Sequence, residues 1–193
     1  MRFLLGLTRT LVALSFGLWI GGLVFFGAIT AAIMFPMTRA AGQPALAPQM
    51  VGPMLSRFAL VCAVCSAVLV LGWALDGALS RRGKIWTAQG VLTIVAVGLG
   101  TFLNFVLLPQ TQRDQSAVLP LYTRSLAERN ALSLQESQLK ARFDAGHQRF
   151  NRLAGIDIYL LIGALACLMA RTLPAKEQAI EPRREPVGFG AKG

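Results

Sequence analysis

Between Arg9 and Arg39 the chain runs 29 residues without an Asp, Glu, Lys, Arg or His. A helix needs about 20 predominantly apolar residues to cross a bilayer, so segment 10–38 spans one with room for tilt. A second uncharged run covers Phe58–Leu75 (18 residues) and a third Ile85–Gln112 (28 residues). These runs place the chain among integral membrane proteins. Of its 193 residues 54% are hydrophobic and 15% charged, where a soluble domain carries roughly a quarter charged residues. The net charge of +10 does not point to nucleic acid, because the basic residues flank apolar segments and no stacking aromatics interleave them. At membrane boundaries such charge favours anionic headgroups and fixes orientation. The N-terminal basic and apolar stretch is too long for a signal peptide's core, so an uncleaved first span is expected.

The runs predict an all-α, four-helix antiparallel membrane bundle with spans at about 11–35, 58–79, 85–108 and 153–173. Pro36 and Pro109 are expected to stop spans one and three, since proline disfavours helical geometry just before it. The fourth span is long enough only if Asp157 lies inside it. The loop 37–57 holds Pro44, Pro48 and Pro53 with Gly42 and Gly52 and is expected to be broken or extended, whereas Ser80–Lys84 (SRRGK) is a tight turn. From Leu121 onward, Leu132, Leu139, Phe143, Phe150 and Leu153 recur at helical spacings. Segment 121–152 is therefore an amphipathic helix, lying along the interface or forming a projecting base for span four. Residues 174–193 are rich in charge, Pro and Gly and are expected to be disordered. Three basic residues in the five-residue turn, against Arg39 and Arg57 in the longer first loop, place both termini in the cytoplasm, with the inner membrane as the location.

Few residues carry chemistry. Asp157 is an ionisable group within a span or at its edge beside Arg152; inside the span it would face the bundle or water. Asn104 needs a partner helix for its carboxamide. His147 is the chain's one histidine, which rules out bis-histidine haem and H-E-x-x-H metalloprotease sites. It shares the apolar stripe with Phe143 and Phe150, and Asp144 and Asn151 lie within side-chain reach along the helix. These positions make Phe143, His147, Asn151, Asp157 and Asn104 the candidate ligand or partner site.

An alternative is metal handling by Met34, Met37, Met50 and Met54 with Cys62 and Cys65, since soft sulfur ligands suit Cu(I). Against it, Cys62 and Cys65 within one apolar helix read as packing residues. Gly17 and Gly21 form a G-x-x-x-G that permits close helix contact, read here as internal bundle packing. No nucleotide loop or catalytic carboxylate pair is present, and Asp76, the other ionisable residue in a span, sits close to the opposite end from Asp157.

Trp19-Ile20-Gly21-Gly22, Phe35-Pro36, Ala41-Gly42, Asn104-x4-Pro109 and Phe143-x3-His147-x3-Asn151 occur in this order over roughly residues 11–168. In that order they resemble the domain of unknown function 4149 family, which includes proteins similar to transmembrane protein 205. The resemblance implies a four-helix membrane protein with the histidine segment before the last helix, and implies no reaction. The Trp-Gly-Gly segment is also similar to the first helix of CopD-like copper-resistance proteins. This chain has Ala13, Leu14 and Ser15 where a histidine commonly stands in that family. The expectation is a non-enzymatic scaffold or a protein that interacts with small solutes or lipids. It would require no cofactor, sit in the lipid bilayer, and have a membrane-protein partner or a second copy of itself as its macromolecular contact.

Overall fold

The computed structural model describes residues 2–80, 83–122, 124 and 132–172. Arg81 and Arg82 of the turn, part of the amphipathic segment, and the tail expected to be disordered lie outside them. The helices are α1 (Arg2–Val24), α2 (Ala31–Ala40), α3 (Leu46–Leu79), α4 (Lys84–Phe102), α5 (Leu108–Tyr122) and α6 (Leu134–Thr172). π-helical turns Phe25–Thr30 and Leu103–Leu107 join α1 to α2 and α4 to α5. The result is four rods, Phe3–Ala40, Leu46–Leu79, Lys84–Tyr122 and Leu134–Thr172, each long and apolar enough to cross a membrane.

The rods run well past the predicted spans. At about 1.5 Å per residue, the 39 residues of Leu134–Thr172 reach about 58 Å, against about 30 Å of hydrocarbon. The prolines do not break them. Pro109 follows the wide π-turn Leu103–Leu107, whose looser bonding relieves the clash a proline ring makes with the carbonyl four residues back. Pro48 lies in the first turn of α3, where backbone N–H groups have no intrahelical partner to lose. Pro36 and Pro53 sit inside α2 and α3, as membrane helices tolerate. Only Ala41–Ala45 interrupts the first connection, with Gly42 at φ 71° making the reversal.

The core is a set of heptad-like stripes. Val12, Phe16 and Trp19 of α1 meet Cys62, Cys65 and Leu69 of α3, Ala96 of α4, and Leu161, Ala164 and Leu168 of α6. Helix α4 packs along α6 and α1 along α3, with α1 and α5 closing onto α6. Large apolar side chains such as Leu14, Leu60, Val64 and Ile94 point outward, the arrangement expected where the surrounding solvent is lipid.

The G-x-x-x-G does not serve internal packing: Gly17 and Gly21 face open space. Close approach is made by other glycines. A Cβ on Gly22 would stand 2.1 Å from Phe58, on Gly72 2.3 Å from Val12, and on Gly100 2.2 Å from Trp19. Beyond the bilayer, α5 buries Thr111, Val118 and Leu121 as it packs on the amphipathic half of α6, so that half is a projecting base continuous with span four.

Candidate functional site

Two carboxyls are buried among the four rods, in opposite surroundings. Asp76, near the end of α3, is 5% exposed at its side chain and holds two guanidiniums. Arg9 of α1 donates through Nε to Oδ1 at 2.8 Å. Arg171 of α6 donates to Oδ2, to Ser80 Oγ at 3.3 Å, and to Gln89 Oε1 of α4 at 2.8 Å. The carboxylate thus ties three rods together at one end of the bundle, and Arg171 adds the fourth through Gln89. Beside it Trp73 and Trp86 stack at 4.6 Å. Each indole donates to the other's backbone carbonyl, at 3.2 and 3.4 Å. The stack fits because Gly77 and Gly90 carry no Cβ, which would come within 2.4 and 2.3 Å of an indole carbon.

Asp157, on α6, is 1% exposed, and neither carboxyl oxygen has a hydrogen-bond partner among the described residues. Gly100 lies against Oδ2, with an ideal Cβ there 3.4 Å away. The Trp19 indole N–H is the donor nearest to the Asp157 carboxyl, the Cys62 thiol is its charge neighbour, and Asn104 faces the same thiol. Gly100 sits within the uncharged run Ile85–Gln112, so Asp157 packs against the apolar part of the third rod, five residues along its own helix from Arg152. A buried carboxyl without a donor is costly whatever its charge. The position therefore supplies acceptor capacity that the described residues leave largely unused, the Trp19 indole being the one donor close by. Thr93 Oγ1, two turns along α4 toward Gln89, is likewise buried and unpartnered.

The residues singled out from sequence divide into two groups. Asp157 and Asn104 come together around Cys62 in the bundle. His147 and Asn151 are exposed on the projecting half of α6, where Phe143 stacks on the His147 ring at 5.9 Å. Asp144 accepts instead from Lys140 at 2.8 Å. Ten residues separate His147 from Asp157, about 15 Å along the helix.

Among the sulfur candidates, Cys62 and Cys65 are core residues at 1% and 3% exposure, while Met37, Met50 and Met54 are exposed and Met34 is half-buried. Met54 and Cys62 are eight residues apart on α3, about 12 Å. Among the described residues no three His, Cys, Asp or Glu side chains converge as metal ligands.

The Arg9–Asp76–Gln89–Arg171 cluster is the feature that reading the sequence missed. Its signal was parity: in an antiparallel four-span chain, the start of span one, the end of two, the start of three and the end of four share one side.

On the projecting half, Ser133 and Glu136 form a reciprocal capping box. Glu136 Oε2 accepts from the Ser133 N–H at 2.9 Å, and Ser133 Oγ accepts from the Glu136 N–H at 3.3 Å. The Ser133 backbone bond and then Arg124 hold the Glu136 carboxyl down at about 2. Burial, followed by the Asp144 charge, pushes the Tyr122 phenol up.

A family model described as a domain of unknown function, DUF4149, matches residues 14–136. That stretch holds the Trp19, Pro36 and Asn104 motifs and stops short of Phe143-x3-His147-x3-Asn151. No curated protein and no solved structure matches the chain.

Proposed function

The chain belongs to the DUF4149 family, and from that premise we propose that it is a non-enzymatic, multi-pass protein of the cytoplasmic membrane that binds a small solute inside the bundle. The solute carries a cation or a hydrogen-bond donor, and its seat is Asp157. The observation that carries this reading is the Asp157 carboxyl, buried within an apolar rod with neither oxygen in a closed hydrogen bond among the described residues. An intramembrane ionisable group in that state is a functional position by default. The Trp19 indole, the Cys62 thiol and the Asn104 carboxamide are the polar groups around it.

The interior there is tightly packed, so entry requires movement. The π-turn Leu103–Leu107 contains Asn104 and the π-turn Phe25–Thr30 follows Trp19 on the same rod, and such turns occur at functional sites in helices. Acid–base chemistry would need a second group at reacting distance, and His147 stands about 15 Å along the helix. The positive-inside asymmetry of the Ser80–Lys84 turn supports the orientation proposed here, with both termini on the cytoplasmic side.

Trp19 makes the site observable. The full chain in mild detergent, with Trp73→Phe and Trp86→Phe leaving one indole, is titrated with alkali and alkaline-earth cations, methylammonium and guanidinium. The reading predicts that at least one probe shifts Trp19 emission saturably and that Asp157→Asn abolishes the shift. Probes that leave the emission unchanged, or act equally on Asp157→Asn, would remove the proposal.

A further inference from the structure

The end of the bundle held by Asp76 carries more positive charge than the described residues balance. Arg9, Lys84 and Arg171 line an open cleft of about 480 Å³, together with Ser80, Ile85 and Trp86. Asp76 lies behind it, with one oxygen taken by each arginine. Two guanidiniums on one carboxylate leave a surplus charge, and Lys84 adds a second without an ion pair among the described residues. The segment Ser80–Lys84 (SRRGK) contains no acid to offset them. Arg171 is committed to Asp76, Ser80 and Gln89. Arg9 spends only Nε on Asp76 and is 22% exposed, which leaves its terminal NH2 groups for an acceptor in the cleft. Partly buried surplus charge is expensive unless an anion completes it.

The surroundings identify the anion's source. The cleft lies where the rods end, and the Trp73–Trp86 stack occupies the level at which tryptophans gather at a membrane–water interface. Ile85, on its wall, is an exposed apolar residue of the third uncharged run. A ligand seated there meets guanidinium and ammonium groups on one side and hydrocarbon on the other. Basic pockets between helices on the cytoplasmic side match phospholipid headgroups in this way. We infer that the cleft between Arg9, Lys84 and Arg171 is a binding site for the phosphate headgroup of an anionic phospholipid. The inference is independent of Asp157.

Lys84 is the position to alter, because it takes no part in the Asp76 cluster. The full chain is delipidated in neutral detergent, and its melting is followed as phosphatidylglycerol or phosphatidylcholine is added. Phosphatidylglycerol is expected to raise the melting temperature saturably, with phosphatidylcholine inert. Lys84→Gln should weaken the apparent affinity about fivefold, the contribution of one basic residue near an anionic surface. Arg149→Gln, an exposed cation on the projecting half of α6, should leave the affinity unchanged. Equal stabilisation by phosphatidylcholine overturns the site, as does equal loss in Arg149→Gln. Stabilisation by inorganic phosphate matching that by the lipid would assign a small-anion site instead and overturn the lipid reading.

Discussion

Asp76 and Asp157 are both carboxyls buried in one helical bundle, and the protein treats them differently. Asp76, at the rod ends, receives a guanidinium on each oxygen and connects three helices, the fourth joining through Arg171. Asp157, inside the fourth rod, receives no guanidinium, and the Trp19 indole beside it does not close a full hydrogen bond, although Cys62 and Asn104 also stand close by. A satisfied buried carboxylate is part of what holds the bundle in register. An unsatisfied one reduces stability, and positions that do so are where function and stability trade against each other. The first serves architecture, and the second is the seat of the binding proposed above.

The largest effect expected from breaking this contrast is at Asp76. Asp76→Asn leaves two partly buried guanidiniums without their counter-charge, a loss of about 3 kcal/mol or more. The melting temperature in detergent should fall by roughly 10 °C or more. A smaller loss is expected where the same end is packed tightest. Gly90→Ala places a methyl 2.3 Å from a Trp73 ring carbon, and such overpacking costs about 1–3 kcal/mol. It should be accompanied by a change in the near-ultraviolet circular dichroism of the stacked indoles.

Smaller still is the acid response of the projecting half. The Glu136 carboxyl is held at about 2 against an ordinary 4.5, so its capping contribution is complete above about 4.5 and is lost as pH falls toward 2. Amide exchange in the first turn of α6 should rise over that window, and Glu136→Gln should remove the dependence. The smallest effect is predicted at His147. Its exposed ring stacks only on Phe143, so His147→Ala should shift stability by no more than about 0.5 kcal/mol and leave probe binding at Trp19 intact.

The spans were legible in the sequence because lipid imposes a one-dimensional rule: runs without charge must cross. The family was legible too, from Trp19-Ile20-Gly21-Gly22, Pro36 and Asn104-x4-Pro109. Helix continuity was not. Pro36, Pro48, Pro53 and Pro109 read as breaks, but a bilayer favours internally bonded backbone, and the π-turn before Pro109 absorbs its ring. Asp157 was visible as an anomaly, while its depth depended on packing against Gly100 of another helix. The Asp76 cluster joins residues 67 to 95 positions apart; no local pattern encodes it, and only the parity of the spans hinted at it. His147 drew notice as the lone histidine, yet its stripe faces α5 only through its neighbours and leaves the imidazole outside.

The most direct test makes the same substitution at both carboxyls and compares melting temperatures of the full chain in one detergent. Asp76→Asn should lower the melting temperature steeply, whereas Asp157→Asn should leave it nearly unchanged, since no ion pair is broken there and one buried polar group replaces another. A fall for Asp157→Asn as deep as that for Asp76→Asn would make Asp157 a structural residue and contradict the account.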